Sequence, residues 1–226
     1  MFGRLRSILL MGVFSLSAPL HADPLLDVSL FQVASYTNGF SRGFDLKVDM
    51  QISDSGQVTK AVMNVQQGTG KPTKRFGQEW IGVPLTGSMV IQKEKIEVRF
   101  LDLYDPRTKQ LQHSIDLSDE TVTSYQWTNV PRSMQIGQKV KVGTVTEKDQ
   151  AGKPISSGDV EFLLAKVGNG FEFCHIETTK NIETKEQEVT RDCDKFDSGK
   201  KITGSAIEIR LGTQSVTTGT GRIRLK

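Results

Sequence analysis

Strict two-residue alternation constrains this chain more than any other feature. Phe44, Leu46, Val48, Met50 and Ile52 alternate with Asp45, Lys47, Asp49, Gln51 and Ser53. Successive side chains of a strand point to opposite faces, so the pattern predicts a strand with one apolar and one polar face. Asp54-Ser55-Gly56 then supplies turn chemistry, and Val58–Val65 reads as the returning strand. Ile96, Val98 and Phe100 repeat the period, and Tyr104-Asp105-Pro106-Arg107 breaks it. Leu111, His113, Ile115 and Leu117 form the next apolar face. Further strands are predicted at 25–34, 85–91, 140–145, 160–164, 171–180, 186–196, 202–211 and 221–225.

This makes roughly ten to twelve strands in meander order, joined by Gly-, Asp- and Pro-bearing turns. The expected fold is all-β: one antiparallel domain over 23–226, built as a curled open sheet, a half-barrel or a barrel-like sandwich. At most one or two short helices are expected, near 119–125 or 133–138. The segments 68–74 and 147–154 read as exposed loops.

Residues 1–22 carry an export signal. Arg4 and Arg6 form a basic start, 7–17 is apolar, and Ala18-Pro19-Leu20-His21-Ala22 ends in a small residue before Asp23. The apolar stretch is shorter than the ~20 residues a bilayer span requires, and no later stretch qualifies. Loss of Arg4 and Arg6 brings the formal charge down from +3 to about +1. So balanced a chain offers no electrostatic footprint for nucleic acid. The expected location is the periplasm or the extracellular space.

Cys174 and Cys193 are the only two cysteines. In an oxidising compartment an even count favours a disulfide. A hairpin turning at 181–185 sets Cys174 directly opposite Cys193, and no C-x-x-C spacing suggests redox catalysis. The same register sets His175 opposite Asp192, on the face carrying Phe171 and Phe173.

Catalytic and metal motifs are sparse. The mature chain holds two histidines, His113 and His175, too few for a zinc cluster when both cysteines are bridged. Asp192, Asp194 and Asp197 do not form a D-x-D-x-D-G calcium loop. Gly68-Thr69-Gly70-Lys71 is followed by Pro72, not by Ser or Thr and a helix, so no phosphate loop is expected. Asp102/Asp105 and Asp119/Glu120 are acid pairs at predicted turns, where solvated carboxylates are ordinary. No metal and no cofactor is called for.

What remains is binding. Trp80, Trp127 and Tyr125 sit at strand ends before Gly- and Pro-bearing turns. With Phe171 and Phe173 they are the candidate lining of an apolar site. His175 and Asp192 are the candidate polar pair.

The segment Trp127-Thr128-Asn129-Val130-Pro131 with Gly137, and the strand Gly170-Phe171-Glu172-Phe173-Cys174-His175-Ile176, resemble Gram-negative periplasmic proteins of unknown function with curved antiparallel sheets. Those are distantly similar to the half-barrel lipoprotein carriers of the envelope. The resemblance covers about 125–209 and implies a concave apolar face that shelters an acyl chain or an envelope partner. The leading expectation is therefore an exported, non-enzymatic binding protein. The alternatives are a hydrolase assembled around His175/Asp192 or His113, and a structural or adhesive surface protein.

Overall fold

The computed structural model describes residues 26–27, 44–212 and 215–225. The export signal expected at 1–22 and most of the strand expected at 25–34 lie outside the described residues.

The elements are β1 (Leu26–Asp27), β2 (Phe44–Asp54), β3 (Gln57–Gln67), β4 (Lys71–Arg75), β5 (Gln78–Ile91), β6 (Glu94–Tyr104), β7 (Leu111–Asp116) and β8 (Val122–Trp127). There follow β9 (Ser133–Met134), β10 (Lys139–Lys148), β11 (Pro154–Val167), β12 (Gly170–Asn181), β13 (Gln187–Phe196), β14 (Ile202–Leu211) and β15 (Ser215–Leu225). Twelve long strands pair antiparallel with their neighbours and close into a barrel. Closure comes from two contacts: β15 pairs β2, and β3 pairs β5 from Ala61↔Ile91 to Gln67↔Leu85. The strand β4 stands outside the ring, paired to the start of β5. The short pair β1–β9 forms a separate ladder.

No helix occurs among the described residues. The two helix candidates are instead β8, preceded by a turn, and the short strand β9. Part of the expected loop 68–74 is β4. The strand β5 runs 14 residues through Gly82, Pro84 and Gly87, far beyond the expected 85–91. Pro84 is tolerated because β5 changes partner there, from β4 to β3. Its carbonyl still accepts from Gly68 N at 2.8 Å, and no ladder donor is required from its nitrogen.

Register sorts every side chain to one wall. On β2, Leu46, Val48 and Met50 face inward, while Lys47, Asp49 and Gln51 face outward and are exposed. Following the pairings around the ring, Val65, Met63 and Ala61 face in, as do Met89, Tyr125, Trp127, Val145, Val160, Phe162, Leu164 and Phe173. Gly219 lets this wall bend tightly: a Cβ there would stand 2.8 Å from Ile207 Cγ2 and Val48 Cγ1, which lean across it.

The outer wall is charged and cross-linked by ion pairs. Lys139 meets Glu161 at 2.6 Å and Lys141 meets Asp159 at 2.8 Å. Arg191 pairs with Glu172, and Arg210 with Glu208. A lipid-facing barrel carries an apolar outer band, with midplane Lys or Arg costing ~2–4 kcal/mol each; this wall has the opposite polarity.

The two ends of the barrel differ. At the end holding the β11–β12 turn, Leu26 and Met134 pack against Val142, Leu164, Phe173 and Phe196. The β1–β9 pair thus stops this end with apolar side chains. At the other end, Ile96 and Leu211 face the lumen yet remain 46% and 41% exposed. An eight-stranded barrel has an interior its side chains just fill, and twelve strands leave more room.

Candidate functional site

The site begins with the β11–β12–β13 hairpins. Cys174 lies opposite Cys193, 19 positions further along the sequence, and is bonded to it. The bridge sits on the outer wall, fully buried among Ile176, Leu163, Val189 and Ala206. Arg191 covers it, Nε standing 3.2 Å from Cys193 Sγ. One residue further along, His175 lies opposite Asp192, and this pair faces the lumen.

The aromatic cluster is lumenal too. Tyr125 and Trp127 stack at 5.6 Å, Trp127 meets Phe162 at 5.8 Å, and Phe162 meets Phe173 at 5.1 Å. His175 touches Tyr125, Trp127 and Phe162. Of the candidate lining residues, Tyr125, Trp127, Phe171 and Phe173 share the lumen wall. Trp80 does not. It lies on the outer wall, its indole donating to Arg75 O at 3.0 Å and its ring meeting His113 at 5.2 Å. His113 therefore also faces outward, between Phe76 and Trp80.

Carboxylates populate the lumen. Tyr125 hydroxyl donates to Glu177 Oε1 at 2.8 Å, and Ser156 Oγ donates to Glu147 Oε2 at 2.9 Å. Ser114 Oγ donates to Asp102 Oδ1 at 2.7 Å. Asp102 is thus no solvated turn acid but an enclosed lumenal one. Enclosure disfavours the charged form, and burial pushes the Asp102 carboxyl up to about 6 against the pull of Ser114 and Tyr104. Burial raises Glu177 as well, opposed by Tyr125 and reinforced by Glu147. It also raises Asp192, and it lowers His175 to about 4 despite the neighbouring Asp192. His175 is therefore neutral at pH 7.

These groups sit beside open space. Asp192 is surrounded by the barrel wall, yet its side chain stays accessible to water. A cavity of about 400 Å³ opens at the unplugged end, lined by Glu147, Glu177, Glu186, Glu188, Ser156 and Thr179 among others. Hollow lumen and packed aromatic floor thus share one barrel.

Two arrangements invite catalytic readings. His113 Nδ1 lies 3.0 Å from Ser124 Oγ, the contact of a base with a nucleophile. The imidazole also meets the rings of Phe76 and Trp80, and among the described residues no carboxylate is hydrogen-bonded to it as an orienting acid. His175 and Asp192 have the base–orienter relation, but an imidazole held near 4 is a weak base at neutral pH.

Among the described residues, the one group of three metal-capable side chains with ligand atoms close together is Glu172, Cys174 and Cys193. Its sulfurs are bonded to each other, which removes them as thiolate ligands.

Fold and site together define an up-and-down antiparallel barrel with a charged outer wall, one plugged end and a polar lumenal chamber. No family model, curated protein or solved structure matches the chain.

Proposed function

We propose that this is an exported, non-enzymatic binding protein that shelters a small ligand inside its barrel. The observation that carries the reading is the cavity of about 400 Å³ at one end of a closed lumen. Its volume falls in the range of small-molecule sites, which are concave and hold a few placed polar groups. The charged outer wall keeps the barrel in water, and the apolar plug makes the opposite mouth the entrance. The buried disulfide suits the oxidising compartment that the N-terminal signal requires.

The test is native mass spectrometry of protein purified from the periplasm of an exporting host, paired with titration of a neutral apolar fluorophore such as N-phenylnaphthylamine. Export predicts a mature chain starting at Asp23. Binding predicts a ligand adduct or saturable fluorescence enhancement. A bare mass together with no enhancement would refute the reading.

A further inference from the structure

Charge in this barrel is segregated by wall. Following the register around the ring, every lysine and arginine on a described barrel strand points outward except Lys166, which sits at the plugged end beside the β11–β12 turn. Glu147, Glu177, Glu188 and Asp192 face inward, toward the open end. The cavity there has no lysine, arginine or histidine among its lining residues. Its carboxylates are held by hydroxyls: Tyr125 on Glu177, Ser156 on Glu147, and Thr190 on Glu188 at 3.1 Å.

Beside Glu177, which lines the cavity, His175 Nε2 is enclosed and makes no hydrogen bond. It stands 3.4 Å from Glu177 Oε1 without the alignment a hydrogen bond needs. A buried polar atom left unmet in a closed barrel is a place where a ligand group completes the network.

We infer that the lumenal chamber binds a flexible organic polycation, a chain of protonated amines joined by methylene spacers. This rests on the reading of the barrel as a small-molecule binding protein. Three features select this class. The wall supplies negative charge with no lysine or arginine of the described residues among its lining side chains. The carboxylates are dispersed: among the described residues no three lumenal acids bring their oxygens together, as a bare metal ion requires. Glu188 and Asp192 lie four residues apart on one strand, about 13 Å at the rise of an antiparallel strand. Amines spaced along a chain match that dispersion, and their methylene segments fit the aromatic floor of Tyr125 and Trp127. Burial raises the carboxyls of Glu177 and Asp192 and a nearby cation lowers them again, so cation binding is linked to proton release.

The test is isothermal titration of the mature protein with spermidine at low ionic strength, alongside the N-phenylnaphthylamine titration. The expected result is saturable spermidine binding that weakens at least tenfold in Glu147→Gln/Glu177→Gln and less than twofold in Glu161→Gln, whose side chain is on the outer wall. Proton release should appear as heat that changes with the buffer's ionisation enthalpy. If the double variant does not fold, Glu188→Gln is read in its place, with a threefold weakening expected. Fluorophore binding without spermidine binding would overturn the polycation and leave the binding-barrel reading standing. Failure of both ligands would overturn both. Equal weakening by Glu161→Gln would place spermidine on the outer wall, and calcium displacing it at tenfold lower concentration would mark a metal site; either result overturns the inference.

Discussion

Replacing Asp102 with asparagine probes the energetic cost of acid inside this barrel. The side chain points from β6 into the lumen, accepts from Ser114 Oγ at 2.7 Å and lies 3.4 Å from the Tyr104 hydroxyl. Burial raises its carboxyl from 3.8 to about 6. The unfolded chain gives up this proton near pH 4, while the folded chain keeps it to about pH 6. Stability therefore falls as pH rises through that window, and the loss persists above it. A difference of about two pKa units corresponds to about 3 kcal/mol, which lumenal water reduces to about 1–3 kcal/mol. Asparagine keeps an acceptor for Ser114 and carries no charge. Urea unfolding with the disulfide intact, at pH 4.5 and 7.5, should show Asp102→Asn about 1–3 kcal/mol more stable than the parent at pH 7.5 and about a third of that at pH 4.5. Comparing the two proteins at each pH cancels the titration of His175. A variant less stable than the parent at pH 7.5, or a difference independent of pH, would show that the ionised carboxylate is compensated and that the lumen is not a costly place for negative charge.

Phe162→Ala, at the centre of the aromatic floor, should cost about 3–5 kcal/mol in urea, whereas Phe76→Ala on the exposed outer wall should shift stability by under ~0.5 kcal/mol; similar small effects would mean the floor is not packed. Reducing Cys174–Cys193 should remove about 3 kcal/mol for a loop of this size, and non-reducing peptide maps should show the two segments linked. The folded pKa of His175, near 4, lies below its unfolded value of about 6.5, so the parent should lose stability as pH falls through that range. His175→Gln should flatten this acid limb in pH-dependent thermal unfolding. An imidazole titrating near 6.5 by NMR would contradict the enclosure of His175.

The class of the fold was legible because it rests on period two. The alternation from Phe44 to Ser53, the Asp-Ser-Gly turn and the hairpin register of Cys174/Cys193 and His175/Asp192 are local facts, and local facts survive folding. Strands with weak alternation were not legible. The Gly- and Pro-interrupted β5 reads as broken until its change of partner at Pro84 is seen. The polar segment 71–75 is a strand only because the start of β5 offers it an edge.

The candidate site divided in the same way. Phe171, Phe173, His175 and Asp192 share a face by parity within one hairpin, which sequence alone determines. Whether that face is concave, and which distant strands complete it, depends on closure, and closure rests on the long-range β15–β2 pairing together with β3–β5. No residue near the hairpin announces that contact. Closure alone put Trp80 and His113 outside and Asp102 inside, since a strand pattern separates two faces without saying which encloses the other. It also turned acids scattered from Glu147 to Asp192 into one chamber wall. Side-chain parity is a property of the backbone and is written residue by residue; inside and outside are properties of a ring and come into being only when its last two strands meet.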